Sequence, residues 1–346
     1  MSHQLKVGII GVGHIGRSHL KSFAACEQAE VVAIADVNEA ALRAVAEEYH
    51  VPRAFTDYRD LLQLDVDAVS ICTPPFAHHA PTVAAAQAGK HVLVEKPMCM
   101  SAAEARDMVE ACQRANVKLG ICHARARFSP VIEAARQFVV SGALGDIYYA
   151  RVSSLRRRGR PGLDILIESK WFLDSTKAGG GTLADIGCYN IDVLLYLLGS
   201  PQPIAVSAMT FRGVGQQPDA SVVYDVEEHA TVFVRFVSGA TAVFESAWAS
   251  NMDGGDGFRL FGTKGGLKTD PFTVYTEQHG MQVDITPQIP HRRDSGNELI
   301  LDFVHACLYG TSPKTPGEDG LKVMQIIDAA YRSARLGREV RVEEVG

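Results

Sequence analysis

The chain has 346 residues, of which 47% are hydrophobic, and a formal net charge of −6. This length and apolar content predict two domains, each with its own core, and exclude general disorder. Neither lysine nor arginine dominates a long segment, so the charge pattern argues against nucleic-acid and anionic-membrane partners.

The seven cysteines are odd in number and scattered, without a CxxC pair. This pattern predicts reduced, mostly buried thiols and argues against a disulfide framework and against a zinc or other metal site. The N-terminus runs from MSHQ directly into LKVGII without a signal-peptide pattern, and no apolar run is long enough to span a bilayer. We therefore expect a cytoplasmic protein.

The first part of the chain, from residue 5 to about 123, alternates short β-branched runs with helical segments. The apolar runs LKVGII, VVAIAD, AVSICT, HVLVEK and KLGICH are separated by segments such as AALRAVAEEY and APTVAAAQAG. This alternation predicts a doubly wound parallel sheet of the Rossmann type, because strands covered on both faces are apolar throughout. The SAAE box that begins at Ser101 predicts a helix that runs to about Ala115.

After residue 123 the pattern changes to a helix, PVIEAARQFVVSG, the strand IYYARVSSL, a loop RRRGRPG and a second, apolar helix. The strands AVSAMTFR, EEHATVFVRFV, ATAVFESAWAS and GFRLFG follow, with TVYTEQ and MQVDIT after them, and Ser238 and Gly239 predict a hairpin. Two helices, ELILDFVHACLY and LKVMQIIDAAYRSARLG, and a short strand, EVRV, end the chain. The fold class is therefore α/β, with a Rossmann domain at 1–123 and an α+β domain with a large, open, mainly antiparallel sheet at 124–346.

An open sheet of this size has one wide face that needs a partner as well as a core. We expect a homodimer or a homotetramer. The residues that we expect near this face are Val232, Val234, Phe236, Val243 and Phe244.

The motif GVGHIG follows a predicted strand and opens a helix, and the next strand ends in Asp36 at the spacing of a dinucleotide-binding fingerprint. Gly11 and Gly13 permit a tight turn close to a pyrophosphate, and the helix start at His14 and Ile15 supplies N–H donors. A carboxylate at Asp36 suits the ribose hydroxyls of NAD and repels the 2′-phosphate of NADP. The remaining alternative is a glycine turn with an aspartate that faces solvent.

The motif CTPPFAHH stands at the carboxyl end of a later strand, where open α/β sheets bind their ligands. We expect Thr73, Pro74 and His78 to line the cofactor crevice. For His79, the first residue of the next helix is the favoured interpretation.

The motif EKP also stands at a strand end. A lysine that leaves a buried strand is costly unless it has a partner, so Lys96 is expected to face a ligand. The alternative is an internal ion pair with Glu95, although neighbouring strand residues point to opposite faces.

The stretch GGGTLADIGCYNID continues into an apolar helix in which Asp185, Tyr189, Asp192 and Tyr196 share one stripe. We expect the three glycines to let the backbone pass close to a ligand and the polar stripe to face that ligand, while Asp192 is better interpreted as an ion-pair partner. In the alternative, Asp185 caps the helix and the tyrosines pack at an oligomer interface.

Weaker candidates for substrate contact lie outside these motifs. Trp171 either stacks on a sugar ring or packs in the core, and His123 and Arg127 lie just after the last Rossmann strand. The arginines of RRRGRPG either contact an acidic or phosphorylated substrate or, as the favoured interpretation, form a solvated loop. These arginines are Arg156, Arg157, Arg158 and Arg160.

Together GVGHIG with its aspartate, CTPPFAHH, GKHVLVEKP, RFSP, GGGTLADIGCYNID, FVSGATAVFESAW and FGTKGGLK resemble the Gfo/Idh/MocA oxidoreductases along nearly the whole chain. The resemblance implies a Rossmann domain followed by a sheet domain that covers the nicotinamide, and hydride transfer at a carbinol carbon of sugars, cyclitols or related diols. It also implies that Lys96 is the catalytic lysine, with Glu95 beside it at the cofactor, and that Asp185 is the active-site aspartate.

Tyr189 departs from many members, which have histidine at this position, and resembles the branch that includes glucose–fructose oxidoreductase and dimeric dihydrodiol dehydrogenases. An unperturbed tyrosine is a poor base at neutral pH, so a cationic Lys96 nearby is needed to favour phenolate. The sequence therefore predicts an NAD-dependent dehydrogenase for a sugar or polyol, with Lys96, Asp185 and Tyr189 as catalytic residues. The alternatives are a non-catalytic NAD-sensing regulator, and an enzyme that retains its cofactor and cycles between two sugars.

Overall fold

The chain divides into two structural units in the computed structural model, which describes residues 4–219, 221–289 and 295–345. The first unit contains residues 4–125 and 295–321, and the second contains the other described residues. The expected boundary near 123 is within two residues of this division. Residues 295–321, which we expected in the second domain, belong to the first.

The elements of the first unit alternate between strand and helix as the apolar runs predict, and each strand is flanked by a helix that covers the sheet. In chain order they are β1 (Leu5–Ile10), α1 (His14–Ala24), β2 (Ala29–Ala35), α2 (Glu39–Glu48), β3 (Ala54–Phe55), α3 (Tyr58–Leu62), β4 (Ala68–Ile71), α4 (His79–Gln87), β5 (His91–Val94), α5 (Ala102–Arg114) and β6 (Leu119–Ile121).

The six strands form one parallel sheet in the order β3-β2-β1-β4-β5-β6. The chain order reverses direction between β1 and β4, so the turns that follow β1, β4 and β5 lie on the same edge of the sheet, at its switch point. This edge is where such sheets bind dinucleotides, and it brings the glycine turn, the proline turn and the Lys96 turn together.

The second unit begins with α6 (Pro130–Val140) and holds nearly all of the remaining elements. They are β7 (Ile147–Leu155), α7 (Ser175–Ala178), α8 (Cys188–Leu197), β8 (Pro203–Phe211), β9 (His229–Phe236), β10 (Thr241–Ala247), β11 (Gly255–Gly262), β12 (Gly266–Thr269), β13 (Phe272–Gln278) and β14 (Met281–Ile285), then α9 (Ser295–Tyr309) of the first unit, α10 (Gly317–Leu336) and β15 (Val340–Arg341).

Helix α9 belongs to the first unit because it packs on that unit's sheet. The Phe303 ring is buried against Gly120 in β6, where a Cβ would stand 3.1 Å from the ring. The N–H of Ile121 donates to the carbonyl of Thr315, and Gly120 forms a bridge with Pro316. Because these partners are nearly 200 residues apart in sequence, no local pattern indicates that α9 returns to the first unit.

A nine-stranded sheet dominates the second unit, in the order β14-β13-β12-β11-β7-β10-β9-β8-β15. Its described strand pairs are antiparallel except that β7 and β10 run parallel. The mainly antiparallel sheet is therefore confirmed. The hairpin at Ser238 and Gly239 is confirmed too, since Gly239 joins β9 to β10 with a φ of 86° that a residue with a side chain rarely adopts.

Four of the five residues that we expected near the open face of this sheet lie on its buried face instead. Val232, Val234, Phe236 and Phe244 are at most 2% exposed and belong to the core of the unit. Of the five predicted residues only Val243 points to the other face, because side chains alternate along a strand. The sequence pattern identified alternation but not which of the two faces α6 and α8 cover.

The predicted helix cap at Ser101 is confirmed, with a small difference. The N–H of Glu104 donates to Oγ of Ser101 at 3.2 Å. The Glu104 carboxylate reaches back one residue further than expected and accepts from the N–H of Met100 at 2.9 Å. Among the described residues no helix is both long and apolar enough to cross a membrane.

We expect Val234→Ala to lower the free energy of unfolding by about 2 kcal/mol, because it deletes two buried methyl groups and leaves a cavity. Val243→Ala removes the same atoms from the adjacent strand on the opposite face and should cost less than half as much. Urea unfolding of both variants measures the difference. Equal losses would mean that both faces are buried in the protein as it exists in solution.

Candidate active site

The glycine turn between β1 and α1 has the shape that a dinucleotide needs. Gly11 has a φ of 93°, and a Cβ there would stand 2.8 Å from the backbone of Cys72 and Thr73. A Cβ on Gly16 would stand 2.0 Å from the carbonyl oxygen of Gly11, so α1 can pack this closely only with glycine. A Cβ on Gly13, in contrast, would meet no atom within 4 Å. Open space therefore lies before the first turn of α1.

That space fits a pyrophosphate. Gly13 precedes α1 and provides no side chain to cap it. The first N–H groups of a helix, here those of His14 and Ile15, lack partners within the helix, and the helix dipole attracts negative charge. Both residues remain candidate cofactor contacts through their main chain.

Asp36 follows β2 directly and is half-buried. One carboxylate oxygen accepts from the N–H of Val12 at 2.8 Å and the other from the N–H of Asn38 at 2.8 Å. The carboxylate is thereby fixed beside the glycine turn. Its negative charge at this place disfavours a 2′-phosphate and leaves acceptor capacity for ribose hydroxyls.

The proline turn after β4 is held by its own side chains. Oγ1 of Thr73 donates to the carbonyl of Ala77 at 2.9 Å, and Pro74 is half-buried at the start of a short 3₁₀ turn. Both follow β4 at the switch-point edge of the sheet, and their contact with a cofactor stays a prediction.

His78 differs from the expectation that it lines the crevice. Its ring is completely buried, and its two nitrogens lie 2.9 Å from the carbonyl of Pro97 and 2.6 Å from that of Thr73. Burial lowers the pKa of His78. The ring therefore fastens the proline turn to the Lys96 turn. His79 begins α4 and contacts Asp107 at 2.8 Å, which confirms its interpretation as a helix-start residue.

Lys96 leaves the carboxyl end of β5 and is half-buried. Glu95, immediately before it, is 3% exposed and accepts hydrogen bonds from His19 at 3.1 Å, from Arg125 at 2.8 Å and from the N–H of Lys96 at 2.9 Å. Burial by itself raises the pKa of a carboxyl, but His19 and Arg125 hold that of Glu95 well below its usual value. Glu95 is thus buried and holds the main chain of Lys96, so its carboxylate is not exposed to a cofactor.

The same cluster has the composition of a metal site. Potential ligand atoms of His19, Glu95 and Cys122 lie within 4.8 Å of one another. However, His19 and Glu95 already bind each other, and burial raises the pKa of Cys122 to about 12, which keeps it a thiol where a metal needs thiolate. We interpret the cluster as a hydrogen-bonded network, and the absence of a metal stays a prediction.

In the second unit, Asp185 and Tyr189 lie on one continuous helical stretch. Leu183–Gly187 form a π-helical turn that passes directly into α8, and Asp185 and Tyr189 are both half-buried. π-Helical turns are rare and concentrate at functional sites. Oδ2 of Asp185 accepts from Nε1 of Trp248 at 2.9 Å, and Trp248 is completely buried. The aspartate is therefore fixed by the largest fully buried side chain among the described residues.

Glu227 caps the start of this stretch. Its carboxylate accepts from the N–H groups of Gly181 and Leu183 and from the hydroxyl of Tyr331, each at 2.9 Å. Burial raises the pKa of Glu227, although these donors oppose the shift. The alternative in which Asp185 caps the helix is therefore wrong.

The three glycines at 179–181 are needed for a different reason from the close approach to a ligand that we expected. Gly179 ends α7 with a φ of 76°. A Cβ on Gly180 would stand 1.9 Å from the Tyr331 hydroxyl, and one on Gly181 would stand 1.9 Å from the carbonyl oxygen of Glu227. At the latter two positions glycine is required for packing inside the second unit.

The rest of the predicted polar stripe is structural. Asp192 is completely buried and forms a two-armed ion pair with Arg127, at 2.8 and 2.6 Å. Arg127 is 2% exposed and lies over the ring of Tyr196. The interpretation of Asp192 as an ion-pair partner is confirmed, and Arg127, which we expected to contact substrate, fastens the segment before α6 to α8 instead. His123 is also buried.

The arginine loop divides in two. Arg156, Arg157 and Arg158 are exposed, as expected for a solvated loop. Arg160 is 3% exposed and bonds to Asp164 and to Glu228, with 3.0 Å between Nη1 of Arg160 and Oε1 of Glu228. The prediction that Arg160 belongs to a solvated loop is therefore wrong, because no local pattern indicates the distant Glu228 carboxylate.

Trp171 is half-buried and stacks on Phe172, with 3.8 Å between the ring centroids. Part of the indole is therefore already covered by a neighbour in sequence. This is compatible with a substrate contact at the remaining surface, which stays a prediction.

Comparison with known proteins identifies the class. Residues 5–123 match the model of the oxidoreductase family with an NAD-binding Rossmann fold, and residues 132–268 match the GFO/IDH/MocA C-terminal domain. The chain therefore belongs to the Gfo/Idh/MocA oxidoreductases and is an NAD-dependent oxidoreductase.

Similar proteins align over nearly their whole length. The chain is 30% identical to 1,5-anhydro-D-fructose reductase of Ensifer adhaerens, over 97% of this chain and 98% of that protein. It is 29% identical to D-glucoside 3-dehydrogenase of Escherichia coli (strain K12), over 99% and 98%. The solved structure of aldose-aldose oxidoreductase from Caulobacter crescentus, complexed with glycerol, has a TM-score of 0.80 at 30% identity, over 98% of this chain and 100% of that one.

Sequence reasoning missed the residues that support the site. His19, Trp248, Glu227 and Glu228 are ordinary in sequence, and each has a decisive partner more than 40 residues away. One signal was available for His19, since a histidine in the middle of the helix that follows the glycine turn is a polar residue on a helix that must pack on the sheet.

We expect Trp248→Phe to lower kcat roughly tenfold while the protein stays folded. The ring volume is mostly kept, but Asp185 loses a charged hydrogen bond worth about 1.5 kcal/mol or more. Steady-state turnover and thermal unfolding measure the two effects. A variant with normal kcat and a lower unfolding temperature would show that Trp248 serves only the core.

Proposed function

We propose that the protein transfers hydride between NAD and a carbinol carbon of a sugar, cyclitol or related polyol. The observation that carries this proposal is the position of Lys96 within the first unit. It leaves β5 at the same edge of the parallel sheet as the glycine turn after β1. The names of the similar proteins, which are dehydrogenases and reductases of sugars and inositol, support the substrate class.

When bound, NAD supplies the carbon that accepts or donates the hydride. Gly11, Gly13 and the N–H groups of His14 and Ile15 hold its pyrophosphate, and Asp36 binds its ribose. Lys96 has the role of electrostatic catalyst. Its ammonium stabilises negative charge that develops on the substrate oxygen as the hydroxyl proton leaves.

Tyr189 is the proposed proton acceptor and Asp185 the group that orients the substrate hydroxyls. Oxidation of an alcohol needs a base at the hydroxyl, and a tyrosine serves only if a nearby cation favours its phenolate. Asp185 precedes Tyr189 by four residues on the helical stretch, so the two side chains lie on one side of it. The bond from Trp248 keeps the Asp185 carboxylate in one orientation.

A second form of the reaction keeps NAD bound and cycles between two sugars. The similarity to aldose-aldose oxidoreductase over the full chain supports this version. Cofactor that survives desalting of the purified protein, and a requirement for two sugars, would distinguish it from an ordinary dehydrogenase. Rapid loss of NAD on desalting would exclude it.

We also propose that the enzyme is a homodimer or homotetramer in the cytoplasm. The open face of the large sheet carries Tyr149 and Phe261 in ring contact at 5.2 Å, and Phe233 under the guanidinium of Arg235. Such a mixed aromatic and charged face suits an interface between two copies of the chain. Seven free cysteine thiols support a reducing compartment.

Lys96→Met should reduce turnover about 10²- to 10³-fold and leave NADH binding intact, since it removes a charge that acts in the transition state. The test incubates the enzyme with NAD, and separately NADP, over aldoses, inositols and dihydrodiols, and follows reduced nicotinamide by absorbance. Lys21→Met, an exposed lysine of α1, is the control. Unchanged turnover in Lys96→Met would reject the catalytic assignment, and NAD binding without any turnover would favour a regulator.

Light scattering after size exclusion should give two or four times the 37.4 kDa of one chain. Phe261→Glu places a charge on the open face and should shift the protein toward the monomer. Val140→Glu adds the same charge at the exposed end of α6 and should leave the mass unchanged. A monomeric wild type would contradict the proposal.

A further inference from the structure

One buried carboxylate joins three elements of the first unit. Oε1 of Glu95 accepts from Nε2 of His19 and from Nη2 of Arg125, and Oε2 accepts from the N–H of Lys96. His19 belongs to α1, Arg125 follows β6, and Lys96 stands in the turn after β5. The position of the Lys96 main chain is therefore tied to two other elements through a single side chain.

His19 lies on the helix whose first turn is the proposed pyrophosphate site. It is 7% exposed, and its other ring nitrogen, Nδ1, lies 2.8 Å from Oγ of Ser70 in β4. Since an ionised carboxylate only accepts, Nε2 of His19 carries the proton toward Glu95. Nε2 therefore bonds to Glu95 and Nδ1 to Ser70, and the thiols of Cys72 and Cys122 also lie against the ring.

We propose that His19 is a positioning residue that couples the phosphate-binding helix to Lys96, by holding the Glu95 carboxylate that anchors the Lys96 main chain. The proposal deepens the function proposed above, on which it rests in so far as Lys96 is the catalytic lysine. It assigns to His19 no contact with substrate or cofactor.

The hydrogen bond from His19 connects Glu95 to α1. Without it, the carboxylate keeps Arg125, whose Nε also donates to the carbonyl of Cys122 and which belongs to the segment after β6, not to α1. The position of the Lys96 turn would then depend on Arg125 and would no longer be coupled to the position of α1. A misplacement of about 1 Å in a catalytic group costs roughly 10²-fold in rate.

A matched pair of variants separates the two bonds of His19. The amide of asparagine ends near the place of Nδ1 and that of glutamine near the place of Nε2. His19→Asn therefore keeps the bond to Ser70 and loses the bond to Glu95, whereas His19→Gln still reaches Glu95. Both are polar and similar in size, so burial is changed little in either.

Each variant is tested as the full chain by kcat, by NADH affinity from fluorescence titration and by thermal unfolding. A separate measurement is the acetylation of Lys96 by acetic anhydride relative to Lys90 of the same unit, with and without NADH, read by mass spectrometry. His79→Asn, at the start of α4, is the control. We expect His19→Asn to lower kcat roughly 10- to 100-fold and to change the Lys96 acetylation ratio, while NADH affinity stays normal.

His19→Gln should restore most of both losses, and His79→Asn should resemble the wild type. Equal kcat and equal acetylation in the asparagine and glutamine variants would overturn the proposal. So would a loss of kcat that only parallels lower stability and lower NADH affinity, because that is the behaviour of a packing residue. If the wild type oxidises no polyol, the proposed function fails, but the acetylation ratio and its response to NADH still decide the role of His19.

Discussion

A buried carboxylate must be supplied with donors, and this constraint at Glu95 organises the first unit. A carboxylate without partners in the interior costs several kcal/mol, so the chain has to bring its donors to one place. The donors come from α1, from the turn that follows β6 and from the main chain of the next residue. Because the same carboxylate precedes Lys96, satisfying it also fixes where the lysine leaves the sheet.

The second unit uses two neighbouring carboxylates for a comparable purpose. Glu227 caps the helical stretch that bears Asp185 and Tyr189. Glu228 accepts from Arg160, from the hydroxyl of Tyr224 and from the N–H groups of the loop at residues 213–214. Glu227 holds the start of the helical stretch, and Glu228 holds the loops that contain Arg160 and residues 213–214. Two consecutive residues therefore fix the elements around the proposed catalytic residues of the second unit.

Patterns with a local physical cause were predictable. Glycine is needed at Gly11 to pass the backbone that follows β4 and at Gly16 to let α1 approach the end of β1, and the apolar runs of a sheet covered on both faces are continuous. The alternation of strands and helices along the first unit, the cap at Ser101 and the hairpin at Gly239 follow from such patterns. The pairing of Asp192 was also predictable in kind, because a charge on an apolar helix needs a partner, although its partner Arg127 was not.

The sequence by itself determined the two kinds of sheet, the dinucleotide fingerprint and the family, because these depend on residue spacing within one element or one turn. Tertiary structure alone decided that α9 packs on the first unit, which face of the large sheet is buried, and that Arg127 and Arg160 are internal ion-pair partners. It also decided that Gly180 and Gly181 make room for Tyr331 and Glu227. The physical reason is that a buried polar group is defined by the group it meets, and that group stands tens to hundreds of residues away in sequence.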